Sequence, residues 1–254
     1  AARDKRVVGV VLQVDSPGGS ALASDLIHRE VVRVNSKKPV VACFGEVAAS
    51  GGYYVAAPTR AIIADPLTVT GSIGVIMARV VTRKLAEQVG VNVESLRLDD
   101  HADMWSPHRE ATEAERAILA AEADGFYEAF VSIVAEGRSK EYDAIEPLAR
   151  GRVWSGRDAH ERGLVDTLGG LDAALECIRK ERSDLPEAVR RGLELEPIGP
   201  RRGDIPKPLW PDPAAALMDG VLMDIAAPEL LTLAQLAHGR DRALYYALGL
   251  PNID

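Results

Sequence analysis

The sequence predicts an α/β fold, and three observations carry that expectation. Short, strongly apolar runs alternate with amphipathic stretches over residues 7–180. Glycine-containing turns follow the first two of those runs, at the carboxyl ends of strands where α/β sheets carry their function. The 47% hydrophobic content is only 5% aromatic, which suits a core packed closely through small side chains.

Residues 7–14 (VVGVVLQV) read as a strand buried on both faces, with neighbours on either side. The charged residues Arg3, Asp4, Lys5 and Arg6 precede it directly, so at least one strand is expected upstream of the chain. The turn DSPGGS (15–20) leads to a helix over 21–34, with Leu26, Val31 and Val32 on its apolar side. NSKKP closes that helix, and Pro39 opens a strand at 40–44. A short helix runs from Ser50 to about Ala57, a strand covers 61–64, and a further segment, 72–77, follows Thr70-Gly71. Next come a helix at 80–89, a strand at 91–98 (VNVESLRL) and a loop at 99–107. Residues 111–138 give the longest helical signal, with Thr112 and Glu115 at capping-box spacing and Ile118, Leu119, Phe126, Phe130 and Ile133 on one face. Residues 151–180 read as strand, short helix, short strand and helix. Beyond Ser183 prolines recur, and 214–250 reads as one or two helices suited to packing or subunit contacts. The expected division is a domain over 1–183 and a proline-broken, partly helical extension over 184–254.

A net charge of −8 without a basic cluster gives no reason to expect nucleic acid. Cys43 and Cys177 have no pairing or zinc spacing, and no His/Glu pattern of a metalloenzyme is present, so no metal and no cofactor are expected. DSPGG is a poor dinucleotide fingerprint, and no Lys-Ser/Thr pair follows its glycines. No apolar run has the length needed to span a bilayer.

Two segments could carry chemistry. Ser50 stands between a buried strand and a helix N-terminus, where free backbone N–H groups could stabilise an oxyanion while Gly51 and Gly52 admit a substrate backbone. By spacing alone it could equally be a helix cap. Gly18 and Gly19 of DSPGGS could present amides to a carbonyl oxygen, or could form an ordinary Pro-Gly turn. Tyr53 and Tyr54, which follow, fit packing beneath such a site.

Together these segments resemble a known family. DSPGGS, AASGGYYVAAPTRAIIADPLTVTGSIGV (48–75) and WSGRDAHERGLVDTLGG (154–170) are similar to the signal peptide peptidase A family, Ser–Lys peptidases of the caseinolytic-protease/crotonase superfamily. The resemblance spans about residues 7–180. It implies repeated β-β-α units followed by a helical carboxyl-terminal extension. It places the nucleophile on Ser50 and the oxyanion donors on Gly51 and on Gly18 or Gly19. Thr70, Gly71, Ser72, Ile73 and Gly74 would line the substrate. The implied activity is hydrolysis of cleaved signal peptides by a catalytic domain tethered to the cytoplasmic membrane and facing its outer side, with the anchor absent from this chain. The implied assembly is a homo-oligomer, a tetramer for tandem members and an octamer for single-domain members.

The general base does not carry over. Single-domain members have a lysine-aspartate-methionine run before a serine-proline, and here that stretch reads His101-Ala102-Asp103-Met104-Trp105-Ser106-Pro107. The lysine position is Ala102. In tandem members the amino-terminal half supplies the lysine and the carboxyl-terminal half the serine, and this chain is expected to be such a serine-bearing half. The partners implied are the lysine-bearing half, signal-peptide remnants and unfolded peptide segments. The alternatives are a single-domain enzyme inactivated by Lys→Ala, a silent peptide-binding or scaffold module, and an acyl-coenzyme A enzyme of the crotonase kind. His101, with Asp99, Asp100 and Asp103 nearby, is the substitute base to weigh. Lys84, His28 and His160 read as helix-surface residues.

Overall fold

A computed structural model describes residues 1–198 and the backbone of Leu244–Gly249. The order is β1 (Val7–Ser16), α1 (Ala21–Asn35), β2 (Val40–Ala49), α2 (Gly51–Ala56), β3 (Ala61–Ala64) and β4 (Val69–Gly71). Then follow α3 (Arg83–Gln88), α4 (Glu113–Gly137), α5 (Tyr142–Ile145), a 3-10 turn at Glu146–Leu148, β5 (Val153–Ser155), α6 (Gly156–Glu161) and β6 (Thr167–Leu168). The described remainder is α7 (Leu171–Glu181), α8 (Glu187–Arg191), β7 (Glu194–Ile198) and β8 (Leu244–Gly249).

These strands form one mixed sheet whose main path is β5-β4-β2-β1-β8-β7, with β3 and β6 branching from β2. β1, β2, β3, β4 and β6 pair in parallel, as their helical crossovers require. Alternation sorts the side chains to two layers. Val10, Leu12, Val14, Ala42 and Phe44 face a core shared with Tyr53, Phe130, Val131 and Val134. Val11, Val41, Cys43 and Ile63 face a second core with Ala174 and Ile178 of α7. β8 occupies the flank of β1 where an upstream strand is expected from the sequence.

Midway along, β2 changes partner on one side. Val41–Cys43 pair with β3, and Val47–Ala49 pair with β4. The switch coincides with an irregularity against β1, where Val14 faces Phe44 but Ser16 faces Ala48. Such a bulge frees backbone groups that need other partners. The Asp15 carboxylate accepts the Val47 N–H at 3.1 Å, and Thr68 Oγ1 donates to the Gly45 carbonyl at 2.8 Å. Gly45 is required here, because a Cβ would meet the Asp15 side chain at 2.9 Å.

Several sequence expectations are corrected. Residues 91–98 are not a strand: no neighbour offers them a ladder among the described residues, and Leu96 and Leu98 stand fully exposed. A strand forms at Val69–Gly71, where the sequence marks none. α1 buries Ser24 and Val31, whereas Leu26 and Val32 are exposed. The capping box of Thr112 and Glu115 forms, but only the carboxyl-terminal half of α4 reaches the core: Phe130 is buried while Ile118 and Phe126 are exposed. Leu244–Gly249 form a strand where a helix is expected. The rest of the helical expectation over 214–250 lies outside the described residues.

Asp15→Ala removes the acceptor for Val47 N–H, and should cost about 1–2 kcal/mol of stability by urea unfolding. A loss no larger than that of Glu46→Ala, an exposed residue of the same bulge, would show that the contact is unimportant.

Candidate active site

The carboxyl ends of the parallel strands β1, β2 and β4 converge, each followed by a sharp turn: DSPGGS, Ser50 and Gly71-Ser72. Ser50 links β2 to α2 with φ of 51° and ψ of −120°, a backbone region that costs a non-glycine residue. Its N–H donates to the Gly71 carbonyl at 2.9 Å, and its hydroxyl does not cap α2. The simple capping role is therefore not the one Ser50 has. A strained strand–serine–helix turn of this kind raises a hydroxyl above the sheet edge.

The two glycine turns touch. A Cβ on Gly18 would lie 2.7 Å from both the Gly51 nitrogen and the Ser50 Cβ, so the absent side chain leaves open the space before the Gly51 amide. Gly18 has φ of 105°, which only glycine adopts readily. The Gly18 N–H is engaged by Ser16 Oγ at 3.2 Å. Those of Gly19 and Gly51 have no acceptor among the described residues. The position of a Gly51 Cβ is 3.4 Å from the Gly19 nitrogen, so the two free amides are neighbours. It is also 2.4 Å from Ser24 Oγ, a buried hydroxyl that donates to the Ser20 carbonyl at 3.0 Å. Such a pair of free donors beside a serine hydroxyl can bind the oxygen of a tetrahedral acyl adduct.

The segment 70–74 is placed mainly by its backbone. Thr70 is fully buried and donates to the Ala48 carbonyl at 2.7 Å; Ile73 is fully buried in the core. Their side chains therefore face inward. Gly71 lies against Trp154, and Ser72, with φ of 49°, donates its N–H to the Arg152 carbonyl at 2.7 Å. Gly74 lies against the backbone of Gly151, and Gly151 N–H donates to the Ile73 carbonyl at 2.9 Å. Tyr53 is enclosed beneath the site, and its hydroxyl donates to the Leu164 carbonyl at 2.6 Å.

Ala102 belongs to a separate loop and is exposed. Its neighbour Asp103 is clipped to the N-terminus of α4: the Arg109 guanidinium donates at 2.6 Å to Asp103 and also binds Glu115. Arg109 holds both carboxyls down, Asp103 well below the usual range and Glu115 to about 2, the latter helped by the Thr112 N–H. His101 faces Glu115, with Nδ1 at 3.9 Å, and Lys84 is exposed on α3. His28 packs edge-on against Tyr54, and burial lowers its pKa; His160 Nδ1 lies 3.0 Å from the Val165 carbonyl. Among the described residues no group of three or more His, Cys, Asp or Glu could hold a metal ion, and no helix is long and apolar enough to cross a membrane.

Sequence reasoning missed Asp15, Ser24, Arg109 and Arg138, each a single polar residue whose partners are remote in the chain or fixed by a turn. Only Asp15, at the head of DSPGGS, carried a positional signal.

Comparison with known proteins adds a family. The model of peptidase family S49 matches residues 33–184. A chloroplastic serine protease SPPA of Arabidopsis thaliana is 42% identical over 183 residues, covering 72% of this chain and 27% of the plant protein. Protease 4 of Salmonella typhi is 36% identical over 173 residues, covering 68% of this chain and 28% of that protein. Protease 4 of Haemophilus influenzae is 35% identical over 185 residues, covering 71% of this chain and 30% of that protein. The chain thus spans less than a third of the length of these three relatives. The mixed sheet with its covering helices agrees with the caseinolytic-protease/crotonase-like fold of the family.

The Arg109 clip makes a prediction about acid. The folded pKa of Glu115 is depressed from 4.5 to about 2, so its stabilising contribution is complete above about pH 4.5 and is lost as pH falls towards 2. Arg109→Gln should be less stable than the parent in urea by a constant margin down to about pH 4.5, and the margin should close below it. A margin unchanged throughout that range would separate Arg109 from Glu115.

Proposed function

The chain belongs to peptidase family S49, and we propose that it is the serine-bearing part of a Ser–Lys endopeptidase that degrades cleaved signal peptides. The observation that carries this reading is the strained Ser50, flanked by the unengaged amides of Gly51 and Gly19. In the proposed reaction a neutral lysine amine takes the Ser50 proton as Oγ attacks the scissile carbonyl. The oxyanion lies against the two amides; its collapse releases the amine leaving group, protonated by the lysine, and leaves an ester on Ser50. Water, deprotonated by the same amine, then attacks the ester; the acyl–Oγ bond breaks, Ser50 regains its proton from the lysine, and the acid is freed.

The lysine is proposed to come from another domain, because Ala102 has no titratable group where the family resemblance places the base. A solvated lysine is a poor base near neutrality, and burial lowers its pKa. A site completed by a second domain would therefore activate its base only on assembly. The proposed protein is a membrane-associated homo-oligomer, its peptidase domains outside the cytoplasm, acting on signal-peptide remnants and unfolded segments. The methyl of Ala102 also favours a second reading, in which the cleft binds peptide without cleaving it.

Phosphonylation of Ser50 by a fluorophosphonate, with loss of fluoride, followed by intact mass, separates the two readings. The chain should label only with the lysine-bearing upstream part of its parent protein, not alone, and Ser50→Ala should abolish labelling. No labelling in the folded, associated pair would overturn the peptidase reading and favour the silent binding module.

A further inference from the structure

α2 is a poor candidate to hold itself in place. It has six residues, two of them glycine, and a helix so short has little stability of its own. The direction of its first turn nonetheless fixes both the Ser50 hydroxyl and the Gly51 amide. Its orientation must be imposed from outside, and the contacts at its far end show how.

Arg138, the residue after α4, has a side chain only 2% exposed. Its Nη2 donates to the carbonyls of Ala57 and Thr59 at 3.3 Å each. These acceptors close the carboxyl end of α2, where unsatisfied carbonyls and the negative end of the helix dipole favour a cation. The neighbouring Gly137 lies so close that a Cβ there would meet the Ala57 carbonyl oxygen at 2.0 Å. Nη1 of Arg138 binds the carboxylate of Asp166, which also accepts the Ile62 N–H at 2.7 Å. Two residues earlier in the same strand-entry segment, the Leu164 carbonyl receives the hydroxyl of Tyr53, from the middle of α2. One short stretch, 164–166, thus grips α2 through Tyr53 directly and through Arg138.

We infer that Arg138 and Asp166 form a positioning clasp that sets the angle of α2, and through it the alignment of Ser50 with the Gly51 and Gly19 amides. Neither residue touches the reacting atoms. Asp166 holds the buried guanidinium in place and keeps it compensated, since a buried cation without its partner is strongly unfavourable. This assignment rests on the serine-peptidase reading for its catalytic consequence and on geometry alone for its structural one.

Asp166→Asn tests both, because it keeps the shape and one acceptor oxygen but removes the charge. In hydrogen–deuterium exchange of the whole chain, the amides of Tyr54 and Ala57, which bond to Ser50 and Tyr53 carbonyls, should exchange about tenfold faster. Amides of β1 should be unchanged. In the assembled peptidase the maximal rate of Ser50 phosphonylation by fluorophosphonate should fall about tenfold, at unaltered half-saturating reagent. Asp166→Glu should restore both, since Asp166 is 43% exposed and has room for a longer carboxylate. Unchanged α2 exchange, or acceleration shared equally by β1, would overturn the clasp. Should Asp166→Asn fail to fold, Arg138→Lys, which keeps the charge but cannot reach Asp166 and the Ala57 and Thr59 carbonyls together, is read by the same exchange comparison with the same criteria. Absence of labelling in the unaltered assembly would overturn the peptidase reading only, leaving exchange to decide the clasp.

Discussion

The change of partner halfway along β2 is the constraint from which the site follows. A single ten-residue strand serves β3 with its first half and β4 with its second. It can do so only by bending at Gly45–Val47, and bending exposes backbone groups that a buried strand must satisfy. Asp15 and Thr68 supply the partners, and Asp15 is also the first residue of the turn that carries Gly18 and Gly19. The interaction that lets the sheet branch therefore ties the glycine turn after β1 to the strand that delivers Ser50. Fold and site share one joint.

Beyond that joint, the serine is held rather than merely displayed. Its amide is fixed to the Gly71 carbonyl, its backbone is kept at positive φ, and Gly18 closes up to it with no side chain between. Strain of this sort persists only where the surroundings over-determine it. Here those surroundings are β4 on one side, the DSPGGS turn on another, and Tyr53 and Arg138 behind. The result is a concentration of donors unengaged among the described residues at Ser50, whose hydroxyl, unlike those of Ser20 and Ser155, does not cap the helix it precedes.

The sequence made the framework legible because its strands are apolar runs separated by recognisable turns. The runs at 7–14, 40–44 and 61–64 became β1, β2 and β3, and Thr112 with Glu115 became a capping box. What failed depended on context. VNVESLRL has the composition of a strand, but a strand exists only with a neighbour. The periodicity of α1 and α4 marked apolar stripes without saying what would cover them, and Leu26, Val32, Ile118 and Phe126 are exposed in this chain. At the site, sequence could name Gly18 and Gly19 but not choose between them; the bond from Gly18 N–H to Ser16 Oγ distinguishes their amides. Thr70 and Ile73, which the resemblance sets along the substrate, have fully buried side chains. Arg138 and Asp166 are distant single charges whose meeting only the fold reveals.

The most direct measurement is a crystal structure of the Ser50 phosphonate adduct, formed in the assembled peptidase. The account predicts one phosphoryl oxygen about 2.7–3.1 Å from the amide nitrogens of both Gly51 and Gly19, with Gly18 N–H still bound to Ser16 Oγ. A phosphoryl oxygen turned to solvent, or held by donors other than these two, would contradict it.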